Sequence, residues 1–214
     1  MKDQISRSSA DVYEVLKQRI ISLEYPPGYI LNEVDIANEF SLSRTPVREA
    51  FQKLQNDRFL NIVPRIGAQV ALIDFRMLKH AFEVKKELDG MCARLAAQRA
   101  THERINELER IITRLKDYDQ DKDYLKIIED DLNFHIVIWE LSQNPVLIEI
   151  LETLHTQAER LWNYTQQKVT NINGFIDTFE LITQALKEGD KEKAEYYARA
   201  HVEAFVDQVK NELL

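Results

Sequence analysis

The sequence predicts a mostly α-helical protein: three N-terminal helices closed by a small β-hairpin, followed by an antiparallel all-α bundle. Three observations lead there. Apolar residues recur at helical spacing through most of the 214 residues, which include only 5 Gly and 5 Pro. After Pro64 the sole proline is Pro145, leaving room for long uninterrupted helices. The one clear β-favouring pair of runs, 60–64 and 68–72, flanks Arg65-Ile66-Gly67 and reads as a hairpin.

The first helix, 11–23, carries Val12, Val15, Leu16, Ile20 and Leu23 on one stripe, with Ser8 and Ser9 as capping candidates; Tyr25-Pro26-Pro27-Gly28 stops it. A short helix over 32–40 follows, with Asn32 as its cap. Ser41 to Ser43 make a polar turn into a third helix over 43–58, where Ser43 suits the cap and Pro46 is tolerated in the first turn. Two helices across such a turn form a helix-turn-helix, and the hairpin adds a wing with Arg65 at its tip. A boundary falls near Ile73-Asp74, dividing the chain into 1–73 and 74–214. Helices are expected at about 75–99, 103–118, 121–142, 145–168, 175–188 and 190–212, with Thr101, Asn144 and Asp190 as cap or turn residues and a turn over 171–174.

The net charge of −8 does not argue against a nucleic-acid partner. Residues 1–73 hold nine basic and nine acidic side chains, so the excess acid lies wholly in 74–214. Between Ser41 and Gly67 five basic residues (Arg44, Arg48, Lys53, Arg58, Arg65) face only Glu49 and Asp57. Phosphate is neutralised locally, over about a Debye length of 8–10 Å. A single cysteine, Cys92, among apolar neighbours excludes an intrachain disulfide framework. With no signal-like N-terminus and no membrane-length apolar run, a cytoplasmic protein without a membrane partner is expected.

In the helix over 121–142, Ile128, Leu132, Ile138 and Trp139 spread over one side, and Glu129, Asp130, Asn133 and Glu140 over the other. Asp131 and His135 fall inside the apolar arc, one turn apart. His201 lies amid Ala194, Ala198, Val202 and Phe205 on the last helix. An Asp–His hydrogen bond and a satisfied core histidine would account for them. Three such groups aimed inward also suit a divalent cation such as Zn, Ni, Mn or Fe. His80 and His102 are expected in solvent.

"SLSRTPVREAFQKLQ", with "LEYPPGYILNEVDIANEF" before it, resembles the recognition helix and approach of the GntR family of bacterial transcription regulators. "FEVKKELDGMCARLAAQRAT" and "DLNFHIVIWELSQNPVL" resemble the FCD ligand-binding domain of its FadR-like branch. The resemblance implies a winged helix-turn-helix DNA-binding domain and an FCD-like effector-binding, dimerising bundle. It implies a homodimer on a palindromic double-stranded operator, contacted by Arg44, Thr45, Pro46, Arg48, Arg65 and Gly67. It also implies a metal bound by Asp131, His135 and His201, with Phe179 where a fourth ligand, a histidine, is expected; His155 and Tyr164 are the substitutes at hand. Lys85 matches the position that meets an acidic effector, a small organic or sugar acid. Trp139, Tyr164 and Trp162 complete the candidates for effector contact or pocket lining. Two other functions compete: a metal-dependent hydrolase using Asp131, His135 and His201, and a DNA-binding protein whose bundle only dimerises. The second lacks any sensing role; the first leaves the Arg44/Arg48 helix and the wing without a purpose.

Overall fold

The computed structural model describes residues 8–63, 67–119, 122–165 and 172–213. The chain divides into two compact units, Met1–Asp74 and Phe75–Leu214.

In the first unit, α1 (Ser9–Ile21) opens on a reciprocal cap, in which the Ser8 hydroxyl accepts from the Asp11 amide and the Asp11 carboxylate accepts from the Ser8 amide. Strand β1 (Ile30–Leu31) leads into α2 (Glu33–Phe40), capped as expected by Asn32, whose side chain accepts from the Val34 amide at 2.8 Å. Ser41 adopts φ 57°, turning the chain into α3 (Arg44–Asn56). Ser43 occupies the N-cap position, yet its hydroxyl makes no capping bond. Strands β2 (Leu60–Val63) and β3 (Gly67–Val70) pair antiparallel, and β1 adds to β3, giving the order β1-β3-β2. A two-stranded hairpin alone is marginal in water. Here it is held by a core of Leu16, Ile20, Val47, Phe51, Leu54, Leu60 and Val70, each buried to 2% exposure or less. Each such side chain contributes about 1.5–3 kcal/mol. The expected wing tip, Pro64 to Ile66, lies outside the described residues, and Arg65 with it.

Among the described residues the second unit is all helical: α4 (Phe75–Ala97), α5 (His102–Asp117), α6 (Tyr124–Leu141), α7 (Pro145–Tyr164), α8 (Ile172–Glu188) and α9 (Lys191–Leu213). Thr101, Asn144 and Asp190 each accept a hydrogen bond from the first turn that follows. The expected turn over 171–174 is corrected: α8 begins at Ile172, so Gly174 lies within it, and Asn171 is outside the described residues. Around a core containing Phe134, Trp139, Leu151 and Phe179, α4 packs along α9 and crosses α6 and α7. Cys92 is fully buried there. His80 and His102 are exposed.

Asp130, read from the helical wheel as solvent-facing, is instead buried, with its carboxylate gripped by the Arg114 fork and by the Tyr118 hydroxyl at 2.9 Å. The wheel places a residue on a face but does not say where the next helix covers that face. Among the described residues no helix is long and apolar enough to cross a membrane.

Candidate nucleic-acid interface and ligand pocket

The α3 helix buries Val47, Ala50, Phe51 and Leu54, which leaves Arg44, Thr45 and Arg48 on the opposite, solvent-facing side. Pro46 sits in the first turn, where its missing N–H costs nothing. The Arg44 and Arg48 side chains are 62% and 56% exposed. Both reach the Glu33 carboxylate on α2: Arg44 Nη2 donates to Oε2 at 3.1 Å, while Arg48 donates from Nε and Nη2 at 3.2 and 3.0 Å. These bonds, Arg48's first, hold the Glu33 carboxyl below its ordinary range. Gly67 has a structural reason for being glycine. Its φ is +131°, and a Cβ there would lie 2.7 Å from the Leu31 carbonyl oxygen of β1. A cleft between α3 and the hairpin is bordered by Glu33, Arg44, Arg48, Ile62 and Gly67.

In the helical unit, Lys85 (α4), Asp131 and His135 (α6), His155 and Trp162 (α7) and His201 (α9) surround one cavity of about 40 Å³. The potential ligand atoms of Asp131, His135 and His201 lie within 4.8 Å of one another. His155 joins them: its Nε2 and that of His135 each stand 3.9 Å from Asp131 Oδ2, too far for hydrogen bonds. The bland alternative of an Asp131–His135 hydrogen bond is thereby removed. The other His155 nitrogen, Nδ1, is buried and has no hydrogen-bond partner among the described residues. Thr178 holds the His201 ring in place: its hydroxyl lies 2.7 Å from the Phe175 carbonyl oxygen and 2.8 Å from His201 Nδ1. With the hydroxyl proton directed at the Phe175 carbonyl, Nδ1 carries the ring N–H and Nε2 the lone pair that a metal ligand requires.

Phe179 stacks on Phe134 at 3.8 Å between ring centroids and lies 4.8 Å from the His201 ring and 5.8 Å from that of His135. Lys85 is 4% exposed and paired with Asp89, which also accepts from the Trp139 indole at 3.3 Å. Trp139 therefore stacks on His135 with its N–H already committed. Tyr164 is a correction: 42% exposed and tilted against Phe75, it does not line the cavity. Trp162 does line it, and the Trp162 indole nitrogen is buried with no partner among the described residues.

Burial pushes the Asp131 carboxyl up to about 7 and the His201 imidazole down to about 3; His135 and His155 are also held well below their ordinary range. The nearby Lys85 charge adds to the depression of all three histidines. At neutral pH the imidazoles are thus uncharged, with lone pairs available.

A pH dependence of stability follows for metal-free protein. Below about pH 6.5 unfolded histidines take up protons that the three folded ones refuse, so acid favours unfolding. Asp131 opposes this, since between about pH 4 and 7 it holds a proton only when folded. Three groups against one leave a net loss of stability as pH falls from 6.5 towards 4.5, at most about 3 kcal/mol per pH unit. Urea unfolding in EDTA at stepped pH measures it, and a flat profile would contradict the buried neutral cluster.

A helix-turn-helix with a hairpin wing, followed in sequence by a helical unit that encloses a polar cavity, is the layout of a class of transcription regulators. The family comparisons agree with that class. The model for bacterial regulatory proteins of the gntR family matches residues 8–70, and the FCD domain model matches 80–204. The chain belongs to the GntR family, in its FCD-bearing branch, and is a DNA-binding transcriptional regulator. It is 27% identical over 193 residues to the Nta operon transcriptional regulator of Aminobacter aminovorans, covering 88% of each chain. It is also 27% identical over 179 residues to the HTH-type transcriptional regulator McbR of Escherichia coli, covering 83% of this chain and 81% of that one. The solved structure of E. coli McbR/YncC shares the fold, with a TM-score of 0.83 at 24% identity over 96% of this chain and 98% of that one. A putative GntR regulator from Rhodococcus sp. RHA1 shares it with a TM-score of 0.77 at 20% identity, covering 95% and 97%. Neither the hydrolase nor the purely dimerising bundle finds support among these relatives.

Proposed function

We propose that this regulator binds a palindromic operator as a homodimer and that a small organic or sugar acid, entering the α4–α9 cavity, sets its operator affinity. A two-fold dimer matches a palindrome because each winged unit reads one half-site. Arg44, Thr45, Pro46 and Arg48 face the DNA from α3 and Gly67 from β3, and Arg65, outside the described residues, is expected to join them. The observation that carries the sensing role is the convergence of three neutral imidazoles and one carboxylate on a cavity that Lys85 also borders.

The donor set fits a divalent cation such as Zn, Ni, Mn or Fe: Asp131, His135 and His201 would hold it, with His155 beside Asp131 as a further ligand. Such an ion supplies a Lewis-acid anchor for the carboxylate or hydroxyl oxygens of the metabolite. Lys85, in its pair with Asp89, borders the same cavity, and among the described residues the Trp162 indole N–H has no partner there.

A panel of organic and sugar acids tests the reading, with and without each metal, by thermal shift and by gel shift on DNA enriched from a random pool. At least one acid is expected to raise the melting temperature and change operator affinity together. Inertness of the whole panel on both readouts removes the sensing role.

A further inference from the structure

We infer that Glu33 is a positioning residue for base readout: its carboxylate holds the Arg48 guanidinium side-on, so that the opposite edge of the fork is aimed outward at a guanine. The inference rests on the reading of Arg48 as a base-contacting residue and adds to it a residue on another helix.

The bonding pattern carries the argument. Arg48 spends its Nε–H and one Nη2–H on Glu33, at 3.2 and 3.0 Å. A guanidinium has five N–H groups, so three remain: two on Nη1 and one on Nη2. Those on the Nη1/Nη2 edge form the two-pronged donor that fits guanine O6 and N7. An unsupported arginine loses rotamer freedom when it docks, whereas one clamped side-on has already lost much of it. Arg44 Nη2 shares the same carboxylate oxygen at 3.1 Å, so one acidic group braces both forks.

Glu33 itself is fixed. It is the first residue of α2, directly after the Asn32 cap, and its side chain is only 24% exposed. A carboxylate beside a phosphate-binding surface is unfavourable for affinity, since it repels the backbone it approaches. A positioning role explains its presence there: it gives up some general affinity and gains directional readout.

The test uses the full chain, DNA enriched from a random pool by the wild-type protein, and a random duplex, with titrations at several salt concentrations. E33Q is expected to reduce discrimination between the two DNAs by about 5- to 10-fold, a part of what one bidentate guanine contact supplies. Binding to the random duplex should strengthen, because one negative charge leaves the surface. E33D keeps the charge but not the reach, so it should lose discrimination without gaining on random DNA. In an R48A background E33Q should change discrimination clearly less than it does in the wild type, the remainder passing through Arg44, which shares the carboxylate. Wild-type discrimination by E33Q overturns the proposal. So does an equal loss on both DNAs with a lowered melting temperature, which would assign Glu33 a folding role. If R48A itself discriminates as wild type does, the base-reading role of Arg48 has failed, and the two failures are thus told apart.

Discussion

Arg48→Ala is expected to weaken binding to the specific operator by about 5- to 150-fold, the range that corresponds to the 1–3 kcal/mol of one bidentate arginine–guanine contact. The loss on random DNA should be much smaller, because a phosphate contact is only one of several that sum to general affinity. The side chain is exposed, and the buried face of α3 is built from Val47, Ala50, Phe51 and Leu54, so folding should be intact. Fluorescence anisotropy on both DNAs, at matched salt, gives the two numbers. Equal losses would show that Arg48 meets only phosphate. Arg65→Ala is expected to behave in that second way.

The other large effect concerns the metal. At a free concentration of one hundred times Kd, a cation bound only by the folded state adds about 2.7 kcal/mol. For a protein of this size that is roughly a 5–10 °C rise in melting temperature. Zn or Ni should produce it in EDTA-stripped, dialysed protein, and His201→Ala should abolish it, since it removes one of the three converging ligand atoms. Phe179→His should raise metal affinity, provided the new imidazole reaches the ion at about 2.0–2.1 Å. The same substitution gives up the stack on Phe134, so metal-free F179H should melt lower than the wild type even while binding metal more tightly. Calorimetric titration separates the two effects. A Phe179→His protein with unchanged affinity would show that the ring does not stand where a ligand could act, and metal-indifferent melting of the wild type would remove the cation altogether.

Much of the fold was legible because its signals are local. Asn32, Thr101, Asn144 and Asp190 stand as caps where residue type and position place them, and low proline content gave the long helices. Asp131, His135 and His201 could be singled out because polar residues on apolar stripes violate the helical pattern. His155 resisted assignment for a different reason. It lies on a helix whose orientation about its axis depends on packing against α4 and α6, and nothing in its own stripe reports which neighbour it meets. The misreading of Asp130 and the placement of Tyr164 have the same origin: Arg114 and Tyr118, which satisfy the one, and Phe75, which touches the other, are all remote in sequence. The Glu33 brace was hidden likewise, since an acidic residue in the first turn of a helix is fully explained by the helix dipole until Arg44 and Arg48 are seen beside it.

The short strand β1 has a mechanical consequence. Its pairs Ile30↔Gln69 and Leu31↔Ala68 tie the hairpin stem to the chain one residue ahead of Asn32, and Glu33, which touches both arginines, follows at once. Gly67 permits that tie by letting the stem pass against the Leu31 carbonyl. Hairpin and recognition helix therefore cannot be displaced independently by the duplex. The compliance has to come from the DNA, whose grooves must adopt the separation that the protein presents. A duplex that bends or narrows easily does this at small elastic cost, and a stiff one at several kcal/mol. Base pairs that no side chain reaches should then influence operator strength through their flexibility alone.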